Sequence, residues 1–470
     1  MSRAPRAKVS AHDREVVVAR ESPTGPPASS MQPVLRREHP PAIDRRGVLP
    51  HLVEQRPGFV LTMASYYGSL TAARSLGERG VPVIVADAHA FAPARWSRYV
   101  ARRVRCPPPR PMDHFIEWLI AFGEQNPGHV LYATSDDLAW AFALRQSELR
   151  RDFRLLSPTF ESVSRVLDKA SLYDACLEAG LSVPRTWFPP DDEVEAIVRE
   201  ARFPLIVKPR TQVHFTSMVK GTVVRSPDEL RRTYRQFAKR YGYESAFSSA
   251  HPDIQRPMVQ EFHSGGPIYS ISGYCDPARK LFVARGSRKL IQWPRQAGVG
   301  IAFGDAPVDE SLAKSIRRLC ERTGFFGVFE AEFVVSSSPP SLIDLNPRFF
   351  GQMGFDAARG LPSAYFVYLA GIGDEQALAR EVLAAQEWRP KSPILYLNRT
   401  ALAWTRAAEW VVGRSPATLP TTGTSGSRAR VVSAVNYPGD LAPALIDGLG
   451  QVVTALSHPR SSLRMAARGH

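Results

Sequence analysis

"FEAEFVVSSSPPSLIDLNPRFFG" runs from Phe329 to Gly351. Two short apolar runs flank a Ser/Pro turn, the pattern of a β-hairpin. Yet Glu330, Glu332, Asp344 and Asn346 lie inside those runs, and Asp and Asn are depleted in strands. Side chains alternate across a strand. Glu330, Glu332 and Val334 therefore share one face, with Ala331, Phe333 and Val335 on the other. On the return run Leu342, Asp344 and Asn346 share a face, opposite Ile343 and Leu345. A turn centred on Ser338 sets Glu332 across from Asp344 and Glu330 across from Asn346. Opposed like charges destabilise an antiparallel pair, so this face calls for a cation. Carboxylates plus an amide oxygen suit a hard ion, and Mg²⁺ is usually held by one or two carboxylates together with substrate phosphates. A solvated amphipathic hairpin is the alternative, and the hairpin alone does not choose. Arg348 follows at once in "NPR".

Upstream, the pattern becomes periodic at Pro57. "GFVLTMA" reads as a buried strand, "SLTAARSLGERG" as a helix closed by Gly80, and "VPVIVADA" as a second strand. Further alternation of strands and helices implies a parallel α/β domain to about residue 160. The first loop, "TMASYYGS", has one glycine where a dinucleotide fingerprint needs three. "FPLIVKPR" is a strand carrying Lys208, "PMVQEF" is another strand, and "SPDELRRTYRQFAKRYG" is an exposed helix with Ser226 and Glu229 as a capping box. Residues 1–56, rich in Pro, Ser and Arg, read as a disordered basic tail.

The composition narrows the function classes. At 470 residues with 44% hydrophobic content, the chain has room for several packed domains. No apolar run reaches the roughly 18 residues of a membrane helix. Cys106, Cys176, Cys275 and Cys320 lie too far apart for a zinc site or a disulfide framework and read as reduced thiols, consistent with a cytoplasmic setting. The net charge of +15 raises the question of nucleic acid. No nucleic-acid motif accompanies the arginine cluster between Arg95 and Arg110, so solvated surface, or contact with an anionic substrate or subunit, is the better reading.

"FEAEF" and "DLNPRFFG" resemble the metal-binding end of an ATP-grasp domain, in the manner of carboxylate–amine ligases related to the carbamoyl-phosphate synthetase large subunit. "LDKASLYDACLEAGLSVPRTW", "LIVKPR", "MVQEF" and the hairpin follow in the order of that family. The resemblance covers roughly residues 57–390. It implies an α/β and α+β architecture: a pre-ATP-grasp parallel α/β domain over 57–165, then a two-lobed ATP-grasp domain over 166–390. Residues 391–470 are left as a C-terminal extension. It further implies ATP with Mg²⁺, Mn²⁺ being an acceptable substitute, and small-molecule carboxylate and amine substrates. A homodimer is left open, and a phosphotransferase or a non-catalytic nucleotide-binding sensor on the same scaffold is the alternative.

By the same resemblance, Lys169 and Lys208 match the two lysines that hold ATP phosphates, Lys220 beside the phosphate-covering loop is a further nucleotide-binding candidate, and Gln260, Glu261 and Phe262 match the hinge beside adenine. Glu332, Asp344 and Asn346 match the metal ligands, with Glu330 in support. Arg348 matches the arginine that meets the transferring phosphate. Arg285, Arg288, Lys289 and Arg295 lie where further catalytic cations are kept, Arg288 and Lys289 being preferred. The loop "TQVHFTSMVKG" departs from the family in having a single glycine, Gly221.

Overall fold

The computed structural model describes residues 56–457 except 191–192, 218–219, 241, 264–266, 296–297, 337, 412, 416–417 and 420–428. The basic N-terminal tail, most of the "TLPTTGTSGSRA" loop and the final dozen residues lie outside the described residues.

The first domain is a parallel sheet of β1 (Phe59–Thr62), β2 (Val83–Asp87), β3 (Val100–Arg105), β4 (Val130–Leu131) and β5 (Arg154–Leu155), in the order β3-β2-β1-β4-β5. All four strand pairs are parallel, as the alternation of strands and helices requires. Helix Tyr67–Gly77 makes the first crossover and is stopped by Gly80 at φ +68. The strand order reverses between β1 and β4, and the crevice beyond their carboxyl ends is where open parallel sheets take ligands.

A small antiparallel sheet follows, made of β6 (Thr186–Trp187), β7 (Leu205–Lys208), β8 (Thr222–Val224) and β9 (Met258–Glu261), in the order β6-β9-β7-β8. Helix Pro227–Arg240 buries Leu230, Tyr234 and Phe237 against it. The cap of that helix is half as expected. Ser226 Oγ accepts from the Glu229 amide at 3.3 Å, but the Glu229 carboxylate accepts from Arg225 N–H, one residue before the cap.

The large sheet has seven strands: β10 (Ile268–Asp276), β11 (Leu281–Trp293), β12 (Val299–Ala306), β13 (Gly327–Val334), β14 (Ser341–Asn346), β15 (Ile394–Leu397) and β16 (Arg430–Ser433). Their order is β14-β13-β10-β11-β12-β15-β16, and only the last pair is parallel. Helix Glu310–Thr323, capped by Asp309 and ended by Gly324, buries its Leu312, Ile316 and Leu319 in the apolar core it shares with β10, β13 and β14.

The segment set apart from sequence as a C-terminal extension is part of this body. It supplies β15 and β16, and Asp440 accepts hydrogen bonds from Arg74 Nε (2.8 Å), Ser97 Oγ (2.9 Å) and Arg98 N (2.8 Å) of the first domain. Among the described residues no helix is long and apolar enough to cross a membrane, and all four cysteines are buried and free.

Candidate active site

The hairpin has the register that its side-chain pattern predicts. Glu330 pairs with Asn346 and Glu332 with Asp344, so all four oxygen-bearing side chains share a face. The register shifts between Glu332 and Phe333, so Phe333 faces Leu342. This bulge corrects one expectation: Leu342 leaves the acidic face and joins Ala331, Phe333 and Leu345 in the apolar floor.

Three cations stand on that face, one to each expected metal ligand. Lys169 Nζ is 2.6 Å from Asp344 Oδ1, and Lys289 Nζ is 2.6 Å from Glu332 Oε1. Arg348 donates from one terminal nitrogen to Asn346 Oδ1 at 2.8 Å, from the other to Phe349 O at 2.9 Å, and from Nε to Asp136 Oδ1 at 2.8 Å. Asn346 Nδ2 donates to Glu330 Oε2 at 3.0 Å. The other Glu330 oxygen is buried without a hydrogen-bond partner among the described residues.

Burial and charge set the ionisation. Burial, then the neighbouring charge of Glu332, pushes the Glu330 carboxyl up to about 8. Burial alone would raise Asp344 too, but Lys169, with Lys220 and Lys208 beyond it, holds that carboxyl well below the usual range. The same ion pair raises Lys169 against the effect of its burial, and Glu332 does the same for Lys289. Burial and the charge of Lys169 bring Lys208 down to about 7.

Local structure fixes these side chains. Lys169 opens helix Lys169–Glu178 immediately after Asp168, whose carboxylate caps the helix and accepts from Arg210 at 2.8 Å. The Lys169 amide is also tied to the Arg210 carbonyl, so the "VKPR" strand end and the "DK" helix start hold one another. Lys208, at the end of β7, donates to Gln260 Oε1 on β9 at 3.1 Å. Gln260 Nε2 in turn donates to Tyr173 Oη (3.0 Å) and Thr186 Oγ1 (2.9 Å). Lys220 acts on Asp344, Glu330 and Lys208 through its charge.

Other sequence candidates fall elsewhere. Arg288 neighbours Lys289 in β11 and so takes the opposite face of the sheet, where it is exposed. Arg285 donates to the carbonyls of Arg359 and Ala385 and lies over Trp388. Arg295 pairs at 2.6 Å with Glu409, a buried carboxylate of helix Arg399–Val411. Only Lys289 of the four reaches the hairpin. Glu261 follows Gln260 in β9 and faces away from the lysines. The backbone amides of Glu261 and Phe262 are used by Arg185 O and Pro204 O.

Sequence reasoning missed Asp136 and Asp137 as site residues, although "TSDD" directly after β4 was a signal, and it missed the Asp168–Arg210 pair. Among the described residues no three His, Cys, Asp or Glu side chains form a metal cluster by themselves. Two carboxylates and an amide, with a buried partnerless carboxylate oxygen beside them, are nevertheless donor types that could hold a hard ion.

No family model and no curated protein matches the chain. Solved structures do. The biotin carboxylase domain dimer of Hydrogenobacter thermophilus 2-oxoglutarate carboxylase, in complex with MgADP, ADP and bicarbonate, is 13% identical at a TM-score of 0.54, over 68% of this chain and 70% of that one. N5-carboxyaminoimidazole synthetase from Staphylococcus aureus is 11% identical at 0.52, over 73% and 82%. L-amino acid ligase from Bacillus licheniformis is 14% identical at 0.52, over 72% and 79%. The chain has the ATP-grasp fold, with the α/β domain that precedes it in these structures.

Proposed function

We propose that the chain is an ATP- and Mg²⁺-dependent ligase that activates a substrate carboxylate and joins it to an amine. One observation carries the reading. Lys169, Lys289 and Arg348 converge with Glu332, Asp344 and Asn346 on a single face of the hairpin, beside an unsatisfied Glu330 oxygen. The similarity to the three ATP-grasp structures supports it at the level of fold.

In this reading Lys169 and Lys208 hold the α and β phosphates, with the charge of Lys220 in support. Gln260 fixes Lys208, and the β9 end borders the base. Glu332, Asp344 and Asn346 would hold a divalent ion, which would supply neutralisation of phosphate charge. Arg348 and Lys289 supply fixed positive charge where the transferred phosphoryl and the substrate carboxylate meet. The carboxylate oxygen forms a bond to the γ phosphorus as the bond to the ADP oxygen breaks, and ADP leaves with that electron pair. The amine nitrogen then bonds to the carbonyl carbon, phosphate leaves, and the amine gives up a proton.

The test is a screen of carboxylates with amines for ADP release from MgATP, with mass spectrometry of the products. The expected result is an amide product whose formation needs both partners. Stoichiometric ADP release giving a phosphorylated carboxylate with no amine requirement would assign a phosphotransferase instead.

A further inference from the structure

Residues 135–137, "SDD", form the first turn of helix Asp136–Leu144, at the carboxyl end of β4. Ser135 caps this helix through a bond from the Leu138 amide. The two acids that follow sit where the helix dipole favours negative charge, and they reach in different directions. Asp136 accepts from Arg348 Nε at 2.8 Å, with both side chains largely buried. Asp137 Oδ1 accepts from the backbone amide of His214 at 2.7 Å, and its Oδ2 lies 2.9 Å from Arg110.

His214 lies in the segment that takes the place of a glycine-rich phosphate loop. Glu244 closes a circuit around it. The Glu244 carboxylate bonds His214 Nδ1 at 3.0 Å and pairs with Arg110 at 3.3 Å, and its amide donates to His214 O at 3.0 Å. Apolar contacts follow the same path. Val213 and Phe247 of the small lobe are buried within the core of the first domain, the Phe247 ring stacks on His214, and Trp140 of helix Asp136–Leu144 meets Phe247 edge-on.

We propose that Asp136 and Asp137 are a pair of positioning residues, through which the first domain aims the transfer arginine and holds the nucleotide loop in place. The proposal rests on the ligase reading for its purpose, though not for its geometry. A loop with one glycine has fewer positions at which the bare backbone can approach phosphates closely. Docking it on a rigid helix N-terminus places its backbone in advance, so that less ordering cost falls on nucleotide binding. The same turn then fixes Arg348, each of whose three nitrogens donates one hydrogen bond to the protein while one N–H on each terminal nitrogen is left over for a ligand.

The experiment uses the full chain with three substitutions, Asp137→Ala, Asp137→Asn and Asp136→Asn. Hydrogen exchange is followed over residues 211–217, and calorimetry measures MgADP and MgAMPPNP binding. Asp137→Ala should speed exchange across that segment at least tenfold and weaken MgADP about tenfold, the scale of one lost charge-assisted hydrogen bond. Asp137→Asn keeps an acceptor for the His214 amide and should recover most of the protection, a rescue that a general loss of packing would not show. Asp136→Asn should leave exchange over 211–217 slow and weaken MgAMPPNP more than MgADP, because Arg348 faces the terminal phosphoryl. Unchanged exchange and affinity in Asp137→Ala, or equal losses in all three variants, overturn the proposal. If the parent chain binds neither nucleotide, the ligase reading fails, while the exchange measurement still decides whether Asp137 holds the loop.

Discussion

Lys169 and Asp344 meet at 2.6 Å although 175 residues separate them in sequence. One opens a helix and the other lies in the edge strand β14. Their contact closes the phosphate-lysine side of the site onto the metal-ligand side. The pair is buried enough that neither charge can be left alone cheaply. Asp344→Asn should therefore destabilise the fold by about 3 kcal/mol, the cost of stranding one partner of a buried pair. Lys169→Met with Asp344→Leu should recover much of that loss. Urea denaturation of the single and double variants measures both, and a double variant no better than the single would mean that the pair does not set local stability.

Lys208 gives a pH signature. Its amine is brought down to about 7 by burial and by Lys169, far below the usual lysine value. Phosphate groups beside it favour the charged form and raise that value again. Between pH 7 and 9 the free chain then holds a largely neutral Lys208 and the nucleotide complex a charged one, so binding takes up a proton. MgATP affinity should be greatest below pH 7 and decline as pH rises above it. Calorimetry at pH 8 in buffers of different ionisation enthalpy should show uptake approaching one proton, and Lys208→Met should abolish it. Proton-neutral binding by the parent chain would exclude Lys208 from the phosphate site.

The opposite faces of Arg288 and Lys289 predict opposite outcomes. Arg288→Ala should leave MgADP binding and any ADP release within about twofold of the parent, the usual result for an exposed charge. Lys289→Ala should cut ADP release at least a hundredfold, since it removes fixed charge at the transfer point and leaves Glu332 without its partner. Equal losses in the two variants would contradict the strand parity.

Much of this site was legible because a hairpin's register follows from its turn. Glu330, Glu332, Asp344 and Asn346 pair as a turn centred on Ser338 would pair them, although nearer the turn Phe333–Leu342 and Val334–Ser341 are centred half a residue earlier and the bulge makes up the difference. The bulge beside Glu332 was not legible, because where a strand absorbs an extra residue depends on what packs beneath it, here Leu342 against Phe333. Choosing among Arg285, Arg288, Lys289 and Arg295 needed to know which side chains of β11 lie on the same sheet face as Glu332 of β13, two strands away across β10, which is tertiary information. β15 and β16 read as an extension because their partners lie far away in sequence, β15 pairing with β12. Asp136 stayed hidden for the same reason, since its partner Arg348 is 212 residues distant.

Glu330 is the residue whose environment costs the fold most visibly. Its carboxyl is raised to about 8 first by burial and then by Glu332, while the unfolded chain ionises it near the ordinary value of about 4.3. The folded form thus binds the extra proton, and the stability that proton supports is lost as pH rises from about 4.3 through 8. Glu330→Gln keeps an acceptor for Asn346 and does not titrate. Its advantage in thermal stability over the parent should grow steadily from pH 5 to pH 8 and then level off. A constant difference across that range would show that Glu330 ionises normally.

The central claim is that both arms of the hairpin grip one divalent ion against the nucleotide. Crystals grown with MnADP and measured at the manganese edge address it directly. The account predicts an anomalous peak within coordination distance, about 2.1 Å, of oxygens from both Glu332 and Asn346, with Lys169 and Lys208 on the diphosphate. Bound nucleotide with its manganese away from the hairpin, or touching only one arm, would contradict it.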